Sequence, residues 1–120
     1  MKVLLVNGSP RKNGCIHTAL SIVADALEQE GIDTEIYWLG YQAVGGCIAC
    51  RTCAKTGWCI IDDQVNTFRE KAYETDGFVF GSPVHYASAS GNLTAFMDRL
   101  FFSERHGNQS TAFRLNPRQR

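Results

Sequence analysis

The apolar positions along the chain fall into short, separated patterns. Val3-Leu4-Leu5-Val6 is a continuous apolar run closed by Asn7-Gly8-Ser9-Pro10, the pattern of a strand buried on both faces of a parallel sheet. Between Thr18 and Glu30, Leu20, Val23, Ala24 and Leu27 recur at helical spacing. This predicts an amphipathic helix ended by Gly31. Thr34–Leu39 predicts a second strand, whose polar start at Thr34-Glu35 suits a sheet edge. Asp62 or Asp63 can cap a helix running to about Glu74, with Val65, Phe68 and Ala72 inward. Gly77 leads into a third buried strand, Phe78-Val79-Phe80, which stops at Gly81-Ser82-Pro83. Leu93, Phe96, Met97, Leu100 and Phe101 then mark one face of a last helix.

The order β-α-β-loop-α-β-α predicts an α/β fold with a doubly wound parallel sheet. Its 120 residues suit one domain, 1–120. Residues 40–60 hold glycines and four cysteines without periodicity, so they form a Cys-rich loop between the second strand and the second helix. No repeat or low-complexity segment interrupts the pattern.

Charge narrows the function. Twelve basic residues balance twelve acidic ones, so the chain has no bulk electrostatic footprint for nucleic acid or an anionic membrane. The first apolar run is too short for a signal-peptide core or a membrane span. A cytoplasmic protein is expected, and in a reducing compartment five cysteines point to metal or redox chemistry before structural disulfides.

Ligands of doubly wound sheets bind beyond the carboxyl ends of the strands. Here the first strand runs into Gly8-Ser9-Pro10-Arg11-Lys12-Asn13-Gly14, directly before a helix. Backbone N–H groups and the helix dipole there can face an anion. Ser9, Asn13 and Thr18 add donors and Arg11 adds charge. The loop lacks the third glycine of G-x-G-x-x-G, and Gly14 is followed by Cys15-Ile16 rather than the Lys-Ser/Thr of a P-loop. A plain Gly/Pro/Asn turn is the competing account.

Asn7-Gly8-Ser9-Pro10-Arg11-Lys12-Asn13-Gly14-Cys15, with Thr18-Ala19-Leu20, resembles the first flavin loop of the NADPH-dependent FMN reductase family. Gly81-Ser82-Pro83-Val84-His85-Tyr86-Ala87-Ser88-Ala89-Ser90-Gly91, followed by Ala95-Phe96-Met97-Asp98-Arg99, resembles its second. The resemblance implies a flavodoxin-like fold binding FMN. Ser9, Arg11 and Thr18 would contact the phosphate, with Asn13 beside them. Pro83, Val84, Tyr86 and Ser88 would lie along the isoalloxazine ring. The sequence departs from the pattern at His85, where a tyrosine is expected; a surface loop histidine is the plainer account. NAD(P)H or a reduced protein would be the electron donor, and the flavin would carry the chemistry.

Cys47, Cys50, Cys53 and Cys59 are spaced C-x2-C-x2-C-x5-C. The first three match the compact part of a bacterial ferredoxin run, although the fourth is farther away and no proline follows it. The segment resembles the iron-sulfur flavoproteins, a branch of the same family. That implies a [4Fe–4S] cluster, a homodimer and electron transfer between cluster and FMN. Four-cysteine zinc is disfavoured because structural zinc usually draws on two separated C-x2-C pairs. Free thiols in a cluster-free NAD(P)H-dependent FMN or quinone reductase stay open, as does a flavin-binding module without turnover.

Elsewhere the signals are bland. Cys15 is read as a small helix-start residue, although a helix N-terminus favours a reactive thiolate. His17 is expected on the exposed side of the first turn. His106 is expected in a polar loop. Trp38 and Trp58 could shield a flavin, but packing is the plainer account, and Asp98-Arg99 is expected to form a solvated or structural charge pair. No Ser/His/Asp or paired-carboxylate arrangement argues for hydrolysis.

A flavodoxin-like sheet has five strands in order 2-1-3-4-5, and these residues supply three. Residues 112–117 resemble the approach to a fourth. The expectation is a chain shortened after the third strand and its helix, lacking the third flavin loop. Its third strand would have an exposed edge, and marginal stability, self-association or weak FMN binding is the expected consequence.

Overall fold

The computed structural model describes residues 1–106, with side chains through residue 103. Strand β1 (Lys2–Asn7) leads to helix α1 (Cys15–Gln29), strand β2 (Asp33–Trp38), a single-turn helix α2 (Cys53–Thr56) and helix α3 (Gln64–Ala72). Strand β3 (Gly77–Gly81), a short hairpin of β4 (Val84–His85) and β5 (Ser88–Ala89), and helix α4 (Gly91–His106) complete the order. The sheet is parallel, in order β2-β1-β3. The expected arrangement of the first three strands is therefore present.

Strand β1 is central because its apolar run feeds two cores. Leu4 and Val6 pack with Val65 and Phe68 of α3 and Leu93, Phe96 and Leu100 of α4. Leu5, facing the other way, packs with Leu20 and Ala24 of α1. All three β1 residues are fully buried; strand alternation distributes them between the faces. Phe68 lies edge-on to both Tyr37 and Phe96, each with centroids 5.0 Å apart, a favourable aromatic geometry.

Asp63 is the N-cap of α3, its Oδ1 accepting from the Val65 amide at 3.0 Å. Val65, Phe68 and Ala72 are inward as expected. The helix ends at Ala72, short of Glu74, and α1 begins earlier than Thr18. Val23 does not join the α1 core; it is 38% exposed, since Leu20 and Ala24 already fill the contact with Leu5. Strand β3 is half-buried throughout rather than buried, because β1 alone pairs with it among the described residues. Residues 112–117 lie outside the described residues, and His106 lies in α4 rather than a loop.

Candidate functional site

The loops after β1 and β3 meet at the carboxyl end of the sheet, where backbone contacts stitch them together. The Gly8 amide donates to the Gly81 carbonyl at 2.8 Å. Ser90 Oγ donates to the Gly8 carbonyl at 3.0 Å and accepts from the Leu93 amide at 3.4 Å. Ser90 thus caps α4 while crossing to the other loop. A Cβ on Gly8 would stand 3.0 Å from both the Gly81 carbonyl oxygen and Leu93 Cβ. One on Gly81 would meet Ile16 Cγ2 at 2.8 Å. Both glycines are needed for this close approach.

Asn7, fully buried at the end of β1, shapes the first loop. Its Oδ1 accepts from the Ser9 amide at 3.0 Å and its Nδ2 donates to the Lys12 carbonyl at 3.2 Å. Ser9 Oγ accepts from the Arg11 amide at 3.1 Å. Trp38 closes one side, its Nε1 donating to the Ser9 carbonyl at 2.9 Å under the Lys12 ammonium. Helix α1 starts at Gly14 without a side-chain cap and without an acidic residue in its first turn. A helix end of that kind is open to a phosphate, which supplies both the missing acceptors and the favourable charge.

Of the expected phosphate residues, Ser9 is buried within the loop, Arg11 and Asn13 are exposed, and Thr18 lies on α1 with its hydroxyl donating to the Gly14 carbonyl at 3.3 Å. Cys15 is exposed and His17 is half-buried, beside Ser21.

The second loop is a hairpin rather than irregular chain. Tyr86 and Ala87 connect β4 to β5 with φ of +48° and +59°, as a two-residue type I′ turn requires. Such turns favour Asn-Gly, so two side-chain-bearing residues here store strain. Val84 is 76% exposed and Tyr86 completely exposed. Ser88 and His85 are exposed too, and Pro83 is half-buried at the hairpin base. Ser82 Oγ accepts from the Ser90 amide at 2.8 Å, closing the base. The arrangement holds an aromatic side chain and an apolar edge out in solvent, on a hairpin whose base is tied to the first loop.

The cysteine loop packs against α4. Asn92, in the first turn, accepts from the Val44 amide at 3.1 Å and donates to the Gln42 carbonyl at 2.9 Å. Cys47, Cys50, Cys53 and Cys59 all line one small recess, together with Arg99 and Phe102 of α4. Cys47 and Cys50 are exposed, Cys53 is buried and Cys59 is half-buried; none forms a disulfide. Burial pushes the Cys53 thiol up, and the neighbouring thiols act the same way. The Thr52 hydroxyl and amide lower that of Cys50. Among the described residues, no three His, Cys, Asp or Glu side chains converge closely enough to hold a single metal ion.

Arg99 corrects the sequence reading. It is not solvated and its partner is not Asp98, which is exposed; Arg99 is 1% exposed and forks onto Asp63 at 2.7 and 2.8 Å. It also donates to the Gly45 and Ile61 carbonyls and, from Nε, to Cys59 Sγ at 3.3 Å. Desolvation tends to raise the Asp63 carboxyl, but the Arg99 and Val65 donors hold it below its ordinary value. The signal was present: Asn92, Phe96, Arg99 and Ser103 follow inward helical spacing, so a charge at that position called for a buried partner. Trp58 packs under the Arg69 guanidinium, 4.3 Å from its ring centroid. Cys53 begins α2, an element without periodicity in the sequence because it spans only one turn.

An iron-sulfur flavoprotein of Methanocaldococcus jannaschii is 37% identical over 82% of this chain and 51% of its own. One from Clostridioides difficile is 34% identical over 82% of this chain and 45% of its own. One from Methanosarcina thermophila is 28% identical over 82% and 52%. The chain thus spans about half the length of the curated relatives it matches. Residues 1–115 match NADPH-dependent FMN reductase, and the chain belongs to that flavodoxin-like flavoprotein family.

Proposed function

We propose that the chain is the FMN-binding part of an oxidoreductase that moves electrons between flavin and a [4Fe–4S] cluster held by Cys47, Cys50, Cys53 and Cys59. The observation that carries this reading is the recess at which all four thiols meet α4, the helix that also begins at the flavin hairpin. Ser9, Arg11, Asn13 and Thr18 would hold the FMN phosphate at the uncapped start of α1. Pro83, Val84, Tyr86 and Ser88 would meet the ring, with Tyr86 free to cover it. Bound FMN supplies hydride acceptance and stepwise electron release; the protein orients it and shapes its electrostatics.

The donor set fits a cluster better than one ion. A cubane gives each thiolate its own iron, so its ligands stand farther apart than four ligands on zinc. All four thiols line one recess, as a shared cluster requires. Ala49 and Arg51, flanking Cys50, have φ of +55° and +61°. Two exposed thiols also favour a reducing, cytoplasmic setting. The electron source is NAD(P)H or a reduced protein, and the working assembly a homodimer.

Among the described residues no three potential ligands converge on one point, which favours a second reading, a cluster-free NAD(P)H-dependent FMN or quinone reductase. Visible spectra of protein reconstituted anaerobically with FMN, iron and sulfide separate the two. Flavin bands with a broad shoulder that bleaches on reduction support the cluster. Flavin bands alone, with NADPH oxidised by a quinone, support the reductase. No bound flavin would reject both.

A further inference from the structure

All five N–H donors of Arg99 are engaged: two by Asp63, one each by the Gly45 and Ile61 carbonyls, and Nε–H by Cys59 Sγ. Four of these bonds already fix the guanidinium plane and tie the cysteine loop to α4. The fifth lands on sulfur, a weak acceptor as a thiol and a far stronger one as a thiolate ligand. The side chain is fully buried, so its bond and its charge act through a poorly screened interior. Arginine stays charged throughout the working pH range. We propose that Arg99 is a positioning residue that sets the reduction potential of the cluster ligated at Cys59, with Asp63 balancing its charge. This rests on the iron-sulfur reading above.

The sign follows from charge. The reduced cluster carries one more electron than the oxidised one. A donor to its ligand sulfur and a nearby positive charge both favour the reduced form and raise the potential. Asp63, 32% exposed at its side chain, offsets part of that charge.

Two substitutions separate this role from a structural one. Arg99→Lys retains a cation but removes the Nε–H donor and the planar fork. Asp63→Asn keeps an N-cap acceptor for the Val65 amide but leaves the guanidinium uncompensated. Cluster and FMN potentials are measured separately, by redox titration of the reconstituted full chain with iron and sulfide determined in parallel. Arg99→Lys is expected to lower the cluster couple about tenfold in its one-electron equilibrium, or about 59 mV. Asp63→Asn is expected to raise it, with the flavin couple unmoved in both.

Cluster potentials unchanged, or shifted in the same direction, with iron and sulfide at wild-type levels overturn the proposal while leaving the cluster assignment intact. If the variants fail to hold a cluster, wild-type protein labelled with 15N-arginine decides. Pulsed EPR of its reduced cluster should show an arginine nitrogen coupling, and its absence overturns the proposal. Wild-type protein that binds FMN but no iron defeats the iron-sulfur reading itself, and this inference with it.

Discussion

Asp63 and Arg99 share one ion pair, yet removing either side has a different consequence. Arg99 is sealed from solvent while Asp63 is partly exposed. Asp63→Ala leaves a buried cation unpaired and removes the α3 cap, so a loss of about 3–5 kcal/mol is expected. Arg99→Met leaves a carboxylate that water can reach, and about 2–3 kcal/mol is expected. Urea unfolding of both variants checks this order; equal losses would contradict it. The pair also predicts an acid limb. The folded Asp63 carboxyl titrates below its unfolded value of 3.8, so its contribution is present above that pH and is lost as pH falls through the lower folded value. Asp63→Asn should flatten stability against pH in the acid range, measured by thermal melts. The cap itself was legible, because Asp63 precedes the Val65-Phe68-Ala72 stripe. The Arg99 contact was not, because its partners come from residues 45, 59, 61 and 63, distant in sequence and brought in by the loop.

At the scale of elements, apolar patterning carried the architecture. The β1 run, the α3 stripe and the α4 face each bury where periodicity placed them. Patterning failed where packing partners decide. Val23 follows the helical period but finds no core to enter, and β3 is as apolar as β1 yet only half-buried. Two glycines illustrate the same limit: Gly8 and Gly81 were visible as turn residues, but their mutual contact required the sheet register. Gly8→Ala should cost about 1–3 kcal/mol through overpacking and weaken FMN binding, checked by denaturation and flavin titration. The type I′ turn at Tyr86-Ala87 was hidden because neither residue belongs to the usual turn set. Replacing the pair with Asn-Gly should raise stability by about 1–3 kcal/mol by relieving strain. It should also weaken FMN binding if Tyr86 covers the ring. Unchanged affinity, read by fluorescence titration, would remove Tyr86 from the site.

At the scale of the described fold, helix α4 connects the two proposed sites. The loops after β1 and β3 converge on the start of α4 through Ser90, and the cysteine loop is fastened to the same helix at Asn92 and Arg99. An electron path between flavin and cluster would therefore run beside α4. The sequence motifs marked both loops as candidates, and their joint anchoring on α4 emerged only with the fold. No helix among the described residues is long and apolar enough to cross a membrane. The most direct test is quantification of FMN, iron and acid-labile sulfide in anaerobically reconstituted protein, wild type beside Cys59→Ala. Bound FMN in both, with equal iron and sulfide in wild type and a marked loss of iron in the variant, is the predicted result. FMN without iron or sulfide in wild type would contradict the account.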